Sequence, residues 1–135
     1  MADTVLNDEV FVAQFENQTL PPEHFNHLGH LRIGWLYLNQ YELETSIDLV
    51  CTGIKCYAES LGASDKFHYT ITDAIMRIMA DRMAQQSSNN WQDFLSENQD
   101  LLEDALSLIH QHYSETLLAS EDARLKVLQP DRQVI

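Results

Sequence analysis

The chain has 135 residues, 44% of them hydrophobic, which is enough to bury a sizeable core, and it reads as a single domain over residues 1–135. Four glycines and three prolines are too few for an all-β fold with many tight turns. The formal net charge of −13 argues against a nucleic-acid surface, which needs clustered Lys and Arg, and against an anionic membrane.

The first residues, MADTVLNDEVFV, lack the basic start and long apolar core of a signal peptide. No stretch approaches the roughly 18 apolar residues of a membrane span. A cytoplasmic location is therefore expected. Cys51 and Cys56 stand five apart in a predicted helix, about 140° apart around its axis at ~100° per residue. That separation forbids a local disulfide or a metal clip and leaves two reduced thiols.

In chain order, residues 7–17 carry an apolar face of Val10, Phe11 and Phe15 with Gln14, capped by Asn7 or Asp8. Two prolines break the chain at 21–22. A second helix is predicted from about Pro22 to Asn39, apolar nearly all round after its second turn and hence central. Gly34 within it points to close approach of a neighbouring helix. A third helix spans about Leu43 to Leu61, with a stripe of Ile47, Val50, Ile54, Tyr57, Ala58 and Leu61 and a C-terminal cap at Gly62. Ser64 and Asp65 offer an N-cap for a fourth helix over about 66–86, striped by His68, Ile71, Thr72, Ile75 and Met79. After a polar loop at 87–90, a fifth helix runs from Trp91 to Tyr113, with a kink near Asn98 and a stripe ending in Ile109, His112 and Tyr113. The tail carries one helical turn at 121–127, and Pro130 ends regular structure. The expected fold is all-α, an up-down bundle of four main helices with short additional helices at the termini.

In an up-down bundle all six histidines fall at one end: His24, His27 and His30 from the second helix, His68 from the fourth, His110 and His112 from the fifth. His27 and His30 share a helix side, because positions three apart are neighbours. His68 and His112 lie on the stripes of their own helices. The spacing therefore gathers His27, His30 and His68 around one pocket, with His112 as a candidate fourth member and Thr72 and Tyr113 as supporting partners. Three imidazoles suit a single transition-metal ion, zinc, copper, iron or nickel, with an open position for a small molecule. Glu59 and Asp73 lie off their apolar stripes, so a carboxylate-bridged pair of metals is not expected. Without a metal, histidines at helix N-termini stay neutral and can bind or deprotonate a small polar substrate, with Arg32 or Lys66 as a positive charge for an anion. Arg32 sits roughly opposite His30 and suits a structural ion pair better. No nucleophile elbow, glycine-rich phosphate loop or dinucleotide fingerprint is present. The competing reading is a non-catalytic helical interaction module, a homodimer or a protein-binding unit, whose histidines are structural.

Two motifs carry a resemblance. Phe25, His27, His30 and Leu31 open one helix, and Phe67, His68, Thr70, Ile71 and Thr72 open another. The pair resembles a family of small, functionally uncharacterised bacterial helical proteins with H-x-x-H-L and Y/F-H-x-T-I-T motifs, over most of the chain. The resemblance implies that His27, His30 and His68 belong together; it implies no particular activity. Tyr69 stands where the family pattern usually carries Glu, so a mechanism that depends on that carboxylate does not transfer.

Overall fold

The computed structural model describes residues 7–63, 67–86 and 90–135. The described residues form an all-α bundle: α1 (Asp8–Glu16), α2 (His27–Gln40), α3 (Leu43–Ser60), α4 (Tyr69–Gln85), α5 (Trp91–Glu97), α6 (Gln99–Glu103), α7 (Ala105–His110), α8 (Glu115–Leu118) and α9 (Glu121–Leu125). No strand occurs among them. None of their helices is long and apolar enough to cross a membrane. Cys51 and Cys56 are both free thiols.

The caps explain most boundaries. Asn7 Oδ1 accepts the amide of Val10 and starts α1. Between α1 and α2 the prolines begin a 3-10 turn, Pro22–His24, rather than the first turn of α2. The helix proper starts five residues later than the apolar pattern suggests, because Asn26 Oδ1 accepts the amide of Gly29. The turn presses on the new helix: a Cβ on Gly29 would sit 2.4 Å from the carbonyl oxygen of His24. Helix α3 ends as expected. Gly62 has φ +71°, its amide donates to the Glu59 carbonyl, and the Ala63 amide donates to the Ala58 carbonyl, the paired bonds of a Schellman cap.

Two apolar cores meet at α2. One contains Phe11, Phe15, Ile33, Tyr37, Val50, Ile54 and Tyr57 from α1, α2 and α3. The other contains Leu31, Trp35, Ala74, Met79, Phe94, Leu101 and Ile109 from α2, α4 and the C-terminal helices. A helix contributing to both cores has no continuous solvent face, which is why its sequence reads apolar nearly all round. Gly34 allows the approach of α4: a Cβ there would lie 2.9 Å from Met76 Sδ and 3.3 Å from Met79 Sδ. Arg32 forms the expected ion pair, its Nη2 2.9 Å from Asp8 Oδ1, and its guanidinium lies 4.4 Å above the Phe11 ring.

The fifth helix breaks at Asn98, where a kink was expected, and departs from expectation in a second break. It is three short helices, broken at Asn98 (φ −133°, ψ 44°) and Asp104 (φ −150°, ψ 47°). Asn98 is fully buried, and its carboxamide is used completely. Oδ1 accepts from Arg82 and Gln86, while Nδ2 donates to Gln86 Oε1 and the Phe94 carbonyl. A side chain that bonds its own helix's carbonyl and the neighbouring helix offers the backbone an alternative to the next turn.

The tail is also more ordered than a fraying end. Residues 126–135 return along α4. Thr70 Oγ1 donates to the Lys126 carbonyl and accepts the Leu128 amide. Tyr113 donates to the Leu128 carbonyl, Asp131 accepts from the amide and hydroxyl of Ser114, and the Arg132 amide donates to the His112 carbonyl.

Candidate functional site

Three of the singled-out histidines line one cavity. It has a volume of about 250 Å³ and lies between α2, α3 and the first half of α4. His27, His30 and His68 form its polar wall together with Thr72. Val50 and Ile54 from α3, Phe67 before α4, and Ile71, Ile75 and Met76 on α4 form the apolar wall. The apolar stripes of α3 and α4 thus supply the walls of the cavity. Met76 and Phe67 are the members that the stripes did not include. Phe67 was visible only as the aromatic residue preceding His68.

His68 is the N-cap of α4. Its Nδ1 accepts the Ile71 amide at 3.1 Å, and its Nε2 lies 2.9 Å from the Leu118 carbonyl oxygen. A carbonyl can only accept, so Nε2 carries the proton and Nδ1 is the acceptor, a tautomer set by both partners. The N-cap offered by Ser64 and Asp65 lies outside the described residues, as does Lys66. His27 is the first residue of α2. Its Nε2 lies 2.8 Å from the Leu101 carbonyl oxygen, so in the neutral ring Nε2 is the donor and Nδ1 the acceptor. Each of these imidazoles ties a helix start to a carbonyl in the C-terminal half of the chain.

His30 differs from both. Its ring stands edge-on to Phe25, with centroids 4.2 Å apart, and it makes no ring hydrogen bond among the described residues. Burial lowers its pKa from the ordinary 6.5 to about 4, with a further push from neighbouring His27. It is neutral at physiological pH, with one N–H donor and one lone pair unused.

The remaining singled-out residues lie elsewhere. His112 lines a separate cavity with Ile78, Asp81, Arg82 and Leu108, and its Nδ1 bonds the Gln133 carbonyl. Ile78 to Arg82 lie about 15–20 Å further along α4 than His68, at ~1.5 Å per residue. The break at Asp104 redirects the chain, so His112 does not join the other three. His110 bonds the Tyr113 carbonyl, and His24 lines a wider groove of about 670 Å³ with Glu23, Leu28 and Trp91. Thr72 does border the histidine cavity, but its hydroxyl donates to the His68 carbonyl rather than the ring. Tyr113 is fully buried under the tail beside Asp73 and Arg77, and its hydroxyl donates to the Leu128 carbonyl rather than to a histidine. Asp73, expected off the buried face, is itself buried, held by Arg77 Nε at 3.0 Å. Tyr69 packs edge-on against Phe67 and does not border the cavity.

A metal would need ring nitrogens that converge. Among the described residues no group of three or more His, Cys, Asp and Glu side chains is placed to hold an ion. His68 spends both nitrogens on backbone partners and would have to give up the α4 cap or the Leu118 link to ligate. Comparison of the chain with models of protein families, with curated proteins and with solved structures finds no match.

Proposed function

We propose that the histidine cavity is a binding site for a small, largely apolar molecule. The observation that carries this reading is the composition of the wall: six apolar side chains and Thr72 facing three imidazoles, one of which keeps its full hydrogen-bonding capacity. Ligand sites are concave and mostly apolar with a few placed polar groups. The volume sets the size of the guest. A cavity of about 150 Å³ accepts benzene, so about 250 Å³ suits a substituted single ring or an aliphatic body of similar bulk.

The same geometry divides the histidines between the two roles considered from the sequence. His27 and His68 act as struts, holding α2 and α4 to the backbone of α6 and α8. His30 is the recognition group. A general base is most effective with a pKa near the working pH; with its pKa lowered to about 4, His30 favours binding over proton abstraction.

The test is a titration with toluene, p-cresol and cyclohexanol, followed by amide chemical shifts and by thermal melting. A ligand that binds only the folded chain raises the melting temperature. Shifts are expected at His30, Ile54 and Ile71, together with a rise in melting temperature. An Ile75→Trp variant, which fills the cavity, is expected to lose both. No shift with any of the three compounds at saturation in water would overturn the reading.

A further inference from the structure

Resting on that reading, we infer that the ligand is an uncharged molecule whose single polar group is a hydroxyl, donating to one imidazole and accepting from another. Two features of the cavity lead to this class. First, among the described residues no Lys, Arg, Asp or Glu borders it. A carboxylate or ammonium group brought into an apolar wall without a counter-charge loses its hydration with no compensation. The acidic chain, at −13, disfavours anions further.

Second, the hydrogen-bonding capacity of the wall can be counted. His68 is saturated by Ile71 and Leu118. The Thr72 hydroxyl has given its proton to the His68 carbonyl. His27 has given its N–H to Leu101 and keeps a lone pair in the neutral ring. His30 keeps one N–H and one lone pair. The imidazoles therefore offer two acceptors and one donor. A ketone or ether presents acceptors only and would use the single donor, leaving both ring lone pairs unmatched. A hydroxyl is both donor and acceptor, and satisfies one lone pair and the N–H together. The edge-on contact with Phe25 restrains the His30 ring and so the direction of its N–H.

The experiment compares dissociation constants for p-cresol, toluene, cyclohexanol, benzoate and benzylamine at pH 7.5. Toluene and p-cresol differ by the hydroxyl alone. The hydroxyl makes p-cresol the better hydrated of the two, so tighter binding of p-cresol requires a bonded hydroxyl. The expected result is p-cresol about tenfold tighter than toluene, the scale of one buried hydrogen bond, with no detectable benzoate or benzylamine. Cyclohexanol distinguishes an aliphatic from an aromatic carrier of the same group. His30→Leu is expected to erase the tenfold preference while toluene stays within about twofold of its original value. His30→Gln, which keeps one donor and one acceptor, is expected to retain the preference and serves if the leucine variant does not fold. If toluene or benzoate binds as tightly as p-cresol, the hydroxyl assignment fails and the binding site stands. If none of the five binds, the site itself fails.

Discussion

The Nε2–H of His68 meets the carbonyl of Leu118, fifty residues further on, while the opposite ring nitrogen caps the helix that follows. One imidazole therefore starts α4 and fastens α8 to it. Replacing His68 with Ala removes both bonds, and the expected loss is about 1.5–3 kcal/mol, combining a cap of roughly 0.5–2 kcal/mol with a neutral hydrogen bond of about 1 kcal/mol. His68→Asn keeps a good capping acceptor and loses only the link, for about 1 kcal/mol. Urea midpoints of the two variants would separate the roles. Equal losses would mean that the cap contributes nothing.

His30 makes stability depend on pH. Unfolded, it takes up a proton near its ordinary 6.5; folded, burial holds protonation off until about 4. Acid therefore favours the unfolded chain across this window. The contribution is complete above about pH 6.5 and is lost progressively down to about pH 4, to a total of about 3 kcal/mol. His30→Gln has no such window. Subtracting its urea stability profile from that of the unaltered chain should leave a slope between these two pH values and a flat line above pH 7.

Two glycines in helix interiors are expected to respond differently to alanine. In an exposed helix the change gains up to about 1 kcal/mol. At Gly53 a Cβ would stand 2.5 Å from Cε2 of Phe15, a ring with no exposed surface to move into. Gly53→Ala should destabilise by about 1–3 kcal/mol through overpacking. At Gly34 the nearest atom is a methionine sulfur, on a chain with three adjustable torsions. Gly34→Ala should fall within about 1 kcal/mol of the original. Thermal unfolding of both variants would show the order.

Asp73 is buried with Arg77 as its partner, and Arg77 reaches on to Glu44 at 3.0 Å. Burial raises the Asp73 pKa above the ordinary 3.8, although the guanidinium opposes this. Arg77→Met leaves the carboxylate buried and unpaired, at an expected cost of about 3 kcal/mol at pH 7. Because the folded pKa is raised, that cost stands in full above it and fades as the pH falls toward 3.8 and the group is protonated. The double variant Asp73→Asn, Arg77→Met should recover part of the loss at pH 7. A penalty that stays constant from pH 7 to 4 would exclude Asp73 as its source.

The sequence was most readable where structure is set by local chemistry. Val50, Ile54 and Tyr57 repeat at helical spacing, and α3 buries them; Gly62 follows, and the Schellman cap forms there. The pairing of His27 with His30 needed only the spacing of one helix. Their meeting with His68 followed from short connections between α2, α3 and α4. The second break, at Asp104, was not legible in the sequence. A helix from Trp91 to Tyr113 kinked only near Asn98 was expected to carry His112 to the same end, and nothing in the local pattern shows that Arg82 on α4 and Gln86 just after it claim the Asn98 side chain. The partners of His27 and His68 were hidden for a related reason. Both are backbone carbonyls, which every residue has and no residue type reveals.

The return of residues 126–135 along α4 also sets an order of assembly. Thr70 waits for Leu128, 58 residues later, to complete its two bonds, and the chain leaves the ribosome from its N-terminus. At ~5–20 residues per second the interval is roughly 3–12 s. For that time the first turn of α4 lacks the bonds of Thr70, and until Leu118 is made, 50 residues after His68, it lacks that link as well. The first turn of α4 is thus made early in translation and tied down only when Lys126 and Leu128 arrive.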